Sequence, residues 1–169
     1  TPELAEEIRG ILSCPGMAAA YTVPRRTFLG GKEIRHCGWY PDRTTRLFDR
    51  TRARFSGDLV HERVEVSGEA VPLKGHLLHY SFSGIGDMIP KIDRYSDLSA
   101  RQMYERGRRC GILDLTLRPA FAFFKTYLLR LGFLDGVEGV VISATTSWLA
   151  FAKYAKLREL ERSSGKGTG

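Results

Sequence analysis

The sequence predicts an α/β chain in which a short mixed sheet is followed by C-terminal amphipathic helices. Three observations carry this expectation: a capped helix at the start, strand-like runs before position 82, and helical periodicity from Pro90 onward. With 169 residues, 43% of them apolar, the chain is most simply one domain with enough apolar surface for a core.

The first element is written in its caps. TPELAEEI places Thr1 at the N-cap, Pro2 at the first helical position and Glu3 in the first turn, and Leu4, Ile8, Ile11 and Leu12 follow at helical spacing. A chain that opens on its own cap reads as cut from something longer. CPGM (14–17) is a turn, and AAAYTV (18–23) a strand that ends at Pro24 and the basic pair Arg25 and Arg26. Gly30 and Gly31 predict a hairpin, and Arg46, Leu47 and Phe48 begin another extended piece.

DLVHERVEV (58–66) is a strand with one misplaced residue. Val60, Glu62, Val64 and Val66 share one face, while His61, Arg63 and Glu65 share the other. A carboxylate beside three valines loses hydration, which makes it a better proton acceptor. The alternative is that the strand frays there and Glu62 sits in water.

GHLLHYSF (75–82) is a further extended run, and Ile92, Tyr95 and Leu98 mark the start of the helical half. GFLDG (132–136) separates that region from a last apolar segment, and SSGKGTG (163–169) closes a flexible tail expected over 161–169. Residues 140–152, VVISATTSWLAFA, carry no charge but fall short of the roughly 20 residues that a membrane span needs. Flanked by cations and interleaved with Trp148, Phe151 and Tyr154, they suit either a helix lying in a membrane interface or a buried helix with a basic end.

The net charge is +7, and residues 91–130 hold nine Lys or Arg against four Asp or Glu. Concentrated positive charge implies an anionic partner, either phosphate groups or an anionic membrane surface. No RNA- or DNA-binding motif accompanies it, so nucleic acid is not expected. Cys14, Cys37 and Cys110 are odd in number and widely spaced, which excludes a disulfide framework and fits a reducing compartment.

Five stretches in order, HCGWYPDRTTRLFDR, VHE, LLHYSF, KIDRYSDLSA and FFKTYLLRLGFLDGVEG with FAKYAKL, resemble the family 2 glycosyltransferases of lipopolysaccharide core assembly. The resemblance runs over residues 1 to about 160. It implies a GT-A fold, a Rossmann-like domain whose N-terminal half binds the nucleotide and ends in a metal-holding aspartate motif. TPELAEEI resembles the stretch just after that motif, so the chain looks like the acceptor-side half. The organisation expected is 1–117 as this half of the catalytic domain and 118–160 as a basic, membrane-associated helical region.

In such enzymes the acid at the place of Glu62 deprotonates the acceptor hydroxyl, which attacks the anomeric carbon as the nucleoside diphosphate leaves from the opposite face. Asp58 is the fallback base, and His61 orients neighbouring groups. His79 matches the histidine that completes the shell of Mn²⁺ or Mg²⁺, whose other ligands belong to the missing half. Trp39, Tyr40 and Asp42 form an aromatic turn ending in an acid, a surface that can stack on a sugar ring and take its hydroxyls, or that anchors the loop in the core. Lys91, Arg94 and Tyr95 match a segment that closes over the diphosphate, or else form a solvated helix face.

The expected activity is inverting transfer from a nucleotide-sugar donor to a lipid-linked saccharide acceptor. Its expected place is cytoplasmic, peripheral on the inner membrane. The competing expectation is a non-catalytic basic module that docks on anionic lipid through residues 118–160.

Overall fold

A computed structural model describes residues 1–14, 16–56 and 63–165. The chain divides into two compact units, one made of Thr1–Arg35 and Trp39–Ser81, the other of His36–Gly38 and the chain from Phe82 onward. The mixed α/β class expected from the sequence is present, as a small, mostly antiparallel sheet and a set of helices.

In the first unit α1 spans Pro2–Ser13, and the Thr1 side chain accepts from the Leu4 amide at 3.4 Å, as its cap position requires. Leu4 is buried with Tyr21, Val23 and Leu73, and Ile8 and Ile11 pack against them. Fully burying a side chain of this size is worth about 1.5–3 kcal/mol. Leu12, expected on the same apolar stripe, is 60% exposed. The Glu7 carboxylate accepts from the Lys74 and Gly75 amides at 3.1 and 2.9 Å, which ties α1 to the turn before the last strand.

The sheet is organised around β1, Ala20–Leu29. Its partners are β2 (Lys32–Ile34), β3 (Asp42–Phe48), β6 (Ala70–Pro72) and β7 (Leu77–Phe82), and the parallel pairing of β1 with β6 makes the sheet mixed. Two expectations are corrected here. β1 does not end at Pro24, because proline removes only one ladder donor and its neighbours Val23 and Arg25 stay paired with Thr44 and Asp42. Arg46, Leu47 and Phe48 end a strand instead of beginning one, since the pairing with β1 starts at Asp42.

The turn from β1 to β2 uses Gly30 and Gly31 at φ 56° and 84°, the left-handed pair that a two-residue hairpin needs. Arg26 clamps Glu33 on β2 through two bonds of 2.8 and 2.6 Å, and this contact holds the Glu33 carboxyl down at about 2. A second sheet pairs β4 (Ala53–Phe55) with β5 (Val64–Val66). Val64 and Val66 are half-buried and Glu65 exposed, as the alternation predicts. Asp58, His61 and Glu62 lie outside the described residues.

The second unit is helical. α2 runs from Ile85 to Glu105, so it begins five residues before Pro90, which sits inside it. Its buried positions are Met88, Ile92, Ser96 and Ala100, a stripe of four-residue spacing, whereas Tyr95 is 46% exposed. α3 spans Ile112–Phe124 and passes into a π turn, Lys125–Leu129, then a 3₁₀ turn, Gly132–Asp135, and finally α4, Val137–Gly165. Ala100, Cys110, Tyr154 and Leu157 form the common core of α2 and α4.

Gly139 on α4 lies against the Gly132 carbonyl, and an added Cβ there would overlap that oxygen. The two glycines therefore permit a closer approach than any side chain allows. The uncharged stretch of α4 is divided between inside and outside: Ile142 and Ser143 are buried, while Trp148 and Phe151 stack on each other at 54% and 38% exposure. No helix among the described residues is long and apolar enough to cross a membrane.

Candidate functional site

In the sheet unit, Tyr40, Pro41 and Asp42 lead directly into β3, and the Tyr40–Pro41 peptide is cis. Asp42 stands opposite Arg25 in the ladder and forms an ion pair with it, so any hydroxyl bound by this carboxylate shares it with a guanidinium. Trp39 is half-buried, and Tyr40 is 40% exposed. The Tyr40 hydroxyl lies 3.3 Å from His76 Nε2, and the two rings run nearly parallel with centroids 6.2 Å apart. His76 is thus part of the aromatic surface, although the sequence reading passed over it.

His79 stands on β7, half-buried and on the same parity as Leu77 and Ser81. β3 and β7 both pair with β1, so the fold brings the strands carrying Asp42 and His79 to one central strand. Tyr80, on the other parity, stacks on Phe28 at 4.8 Å. No cluster of three His, Cys, Asp or Glu side chains able to hold a metal ion exists among the described residues. His79 belongs to no such cluster among the described residues.

Lys91, Arg94 and Tyr95 belong to the helical unit and are all exposed on α2. Lys91 Nζ sits 4.2 Å over the Phe82 ring, a cation–π contact that fixes the lysine near the start of the helix. Lys91 and Tyr95 are one helical turn apart, so they can meet one ligand from the same face.

The helical unit also holds an arrangement that the sequence reading missed. The His36 amide donates to Asp135 at 2.8 Å, and His36 Nδ1 lies 3.1 Å from the other oxygen of the same carboxylate. Asp135 is 5% exposed while the His36 side chain is 30% exposed, so a buried acid stands behind an imidazole that still reaches solvent. The backbone amide and the ring of His36 thus both meet one carboxylate, which fixes the orientation of the imidazole. Beside them the Cys37 thiol is pushed up to about 12, mainly by burial and further by the Asp135 charge. The available signal was the single acid in the apolar stretch LGFLDGV (131–137), spaced 99 residues from its partner.

Among known proteins, the chain is 27% identical to an uncharacterized glycosyltransferase of Rickettsia conorii over 127 residues, which is 70% of this chain and 45% of the relative. It is 26% identical to one of Rickettsia prowazekii over 132 residues, 73% of this chain and 45% of the relative. It is 27% identical over 161 residues to the lipopolysaccharide core biosynthesis glycosyltransferase LpsC of Rhizobium meliloti, covering 91% of this chain and 58% of that protein. The chain thus spans about half the length of the relatives it matches. No family model matches it, and no solved structure does.

Proposed function

We propose that the chain is the acceptor-side half of an inverting glycosyltransferase that moves a sugar from a nucleotide-sugar donor to a lipid-linked saccharide at the cytoplasmic face of an inner membrane. The observation that carries this reading is the likeness to LpsC along 91% of the chain. The glycosyltransferase names of all three relatives favour sugar transfer over a non-catalytic module.

In this reading Glu62 is the base. A sugar hydroxyl is a poor nucleophile, and a carboxylate within hydrogen-bond reach takes its proton as the glycosidic bond forms and the bond to the diphosphate breaks. The Tyr40 and Trp39 turn supplies an apolar face for the acceptor ring, with Asp42 at its edge. Lys91, Arg94 and Tyr95 receive the negative charge of the leaving diphosphate. A divalent ion, Mn²⁺ or Mg²⁺, would take His79 as one ligand and the rest from outside this chain, and would neutralise the diphosphate.

The decisive experiment compares Glu62→Gln with wild type in the complete protein, measuring transfer from a sugar nucleotide to a lipopolysaccharide core acceptor. Turnover should fall at least about a hundredfold with donor binding nearly unchanged. Near wild-type turnover would remove Glu62 from the role. For His79→Ala the expected outcome is a weaker apparent metal affinity, partly restored by excess Mn²⁺, and an unchanged metal titration would leave His79 a structural residue of β7.

A further inference from the structure

The helical unit carries an open groove of about 600 Å³ between α3, the π turn and α4. Four cations line it, Arg118, Lys125, Arg130 and Lys153, and no carboxylate does. Arg118 already has a partner in Asp114, at 2.5 Å. Lys125, Arg130 and Lys153 form no ion pair with a carboxylate among the described residues. Leu117 and Phe121, 60% and 57% exposed, supply an apolar wall on α3.

The π turn is what gathers this charge. In an α-helix residues five apart lie about 140° around the axis from each other, so Lys125 and Arg130 would face different ways. Here the Arg130 amide donates to the Lys125 carbonyl at 2.9 Å, a five-residue turn, and both side chains line the same groove. Lys153 is pressed against this cluster from α4, and burial together with the Arg118 charge lowers its pKa. Lys125, Arg130 and Lys153, held together beside apolar surface with no carboxylate lining the groove, are complementary to a ligand that is anionic at one end and apolar at the other.

We propose that this groove binds the phosphate headgroup of an anionic lipid, with the acyl chain lying along Leu117 and Phe121. The proposal needs no assumption about sugar transfer and stands or falls separately from it.

The test titrates the chain with short-chain dihexanoyl phosphatidic acid below its micelle concentration, and with inorganic phosphate, by calorimetry. Vesicles of phosphatidylcholine with and without phosphatidic acid are sedimented in parallel. The expected result is that the amphiphile binds at least about tenfold tighter than inorganic phosphate, and that only the phosphatidic acid vesicles carry the protein down. Lys125→Gln with Arg130→Gln should weaken binding about tenfold or more, while Arg9→Gln with Arg106→Gln, which removes the same charge elsewhere, should stay within twofold. Leu117→Ser with Phe121→Ser, both already exposed and so tolerant of change, should abolish the preference for the amphiphile; this pair decides the matter if the charge variants do not fold. Equal affinity for inorganic phosphate would make the groove a free-anion site, and equal loss in the control pair would reduce it to diffuse surface charge. Either result, or no binding at all, overturns the proposal.

Discussion

At the scale of single residues, Glu33 shows how a neighbour fixes a charge. Arg26 holds its carboxyl down at about 2, below the unfolded range near 4.5, so the folded state prefers the ionised form. The stabilisation is therefore fully present above about pH 4.5 and is lost as pH falls toward 2. Because Arg26 is 36% exposed, solvent screens the pair, and its contribution is smaller than the shift alone would suggest. Glu33→Gln should flatten the acid limb of stability measured by denaturant titration between pH 5 and 2; an unaltered limb would show that other carboxylates govern it. The cysteines give a second expectation. Cys37 stays a protonated, buried thiol and Cys110 is also buried, whereas Cys14 is exposed. Iodoacetamide at pH 8 should therefore modify Cys14 first, with the other two reacting only on unfolding, as peptide mass mapping would reveal. Residue-level reading of the sequence reached the strand parity of Val64, Glu65 and Val66 because alternation is local. It missed His36 and Asp135 because their pairing spans 99 residues and leaves no periodic trace.

At the scale of elements, local signals worked where the chain satisfies its own backbone. Thr1, Pro2 and Glu3 mark the start of α1, and Gly30 and Gly31 mark the hairpin, because caps and tight turns demand particular residue types. They failed at the two prolines. Pro24 reads as a stop and lies inside β1, and Pro90 reads as a start and lies inside α2, because pairing along β1 and packing of α2 outweigh one missing donor in each case. The contact of Gly139 with the Gly132 carbonyl yields a prediction at this scale. Gly139→Ala should destabilise the helical unit by at least about 3 kcal/mol, since neither backbone can give way cheaply. Gly10→Ala, in the middle of α1 with open space around it, should instead stabilise by about 0.5–1 kcal/mol. Thermal melts of the two variants should move in opposite directions, and a melt of Gly139→Ala at the wild-type temperature would refute the close approach.

At the scale of the whole molecule, the sequence conveyed the class and the order of sheet before helices, since these follow from the period of the apolar residues. It did not convey that a loop between two strands belongs to the helices. His36, Cys37 and Gly38 sit in HCGWYPD, between β2 and β3, yet their partners are Asp135, Arg130 and Gly139. The residues expected to bind substrates or metal divide the same way: Trp39, Tyr40, Asp42 and His79 fall in the sheet unit, and Lys91, Arg94 and Tyr95 in the helical one. No spacing rule assigns residues to separate units when both use the same polar and aromatic types.

The excursion of residues 36–38 has a consequence for dissecting the protein. A chain that visits one unit for three residues and then returns is sewn, and a single cut cannot part it into self-sufficient modules. A truncation starting at Phe82 would keep every helix of the second unit but leave Asp135 without the imidazole and amide that it accepts from. A buried carboxylate stripped of its donors pays its desolvation penalty without the hydrogen bonds that offset it. Such a truncation should express poorly or melt early, and a synthetic peptide spanning the lost loop, added in trans, should recover part of the stability. A recombination breakpoint at Phe82 would meet the same seam, and one before His36 would cut β1 and β2 from the strands β3, β6 and β7 that pair with β1, so neither place yields a self-sufficient piece.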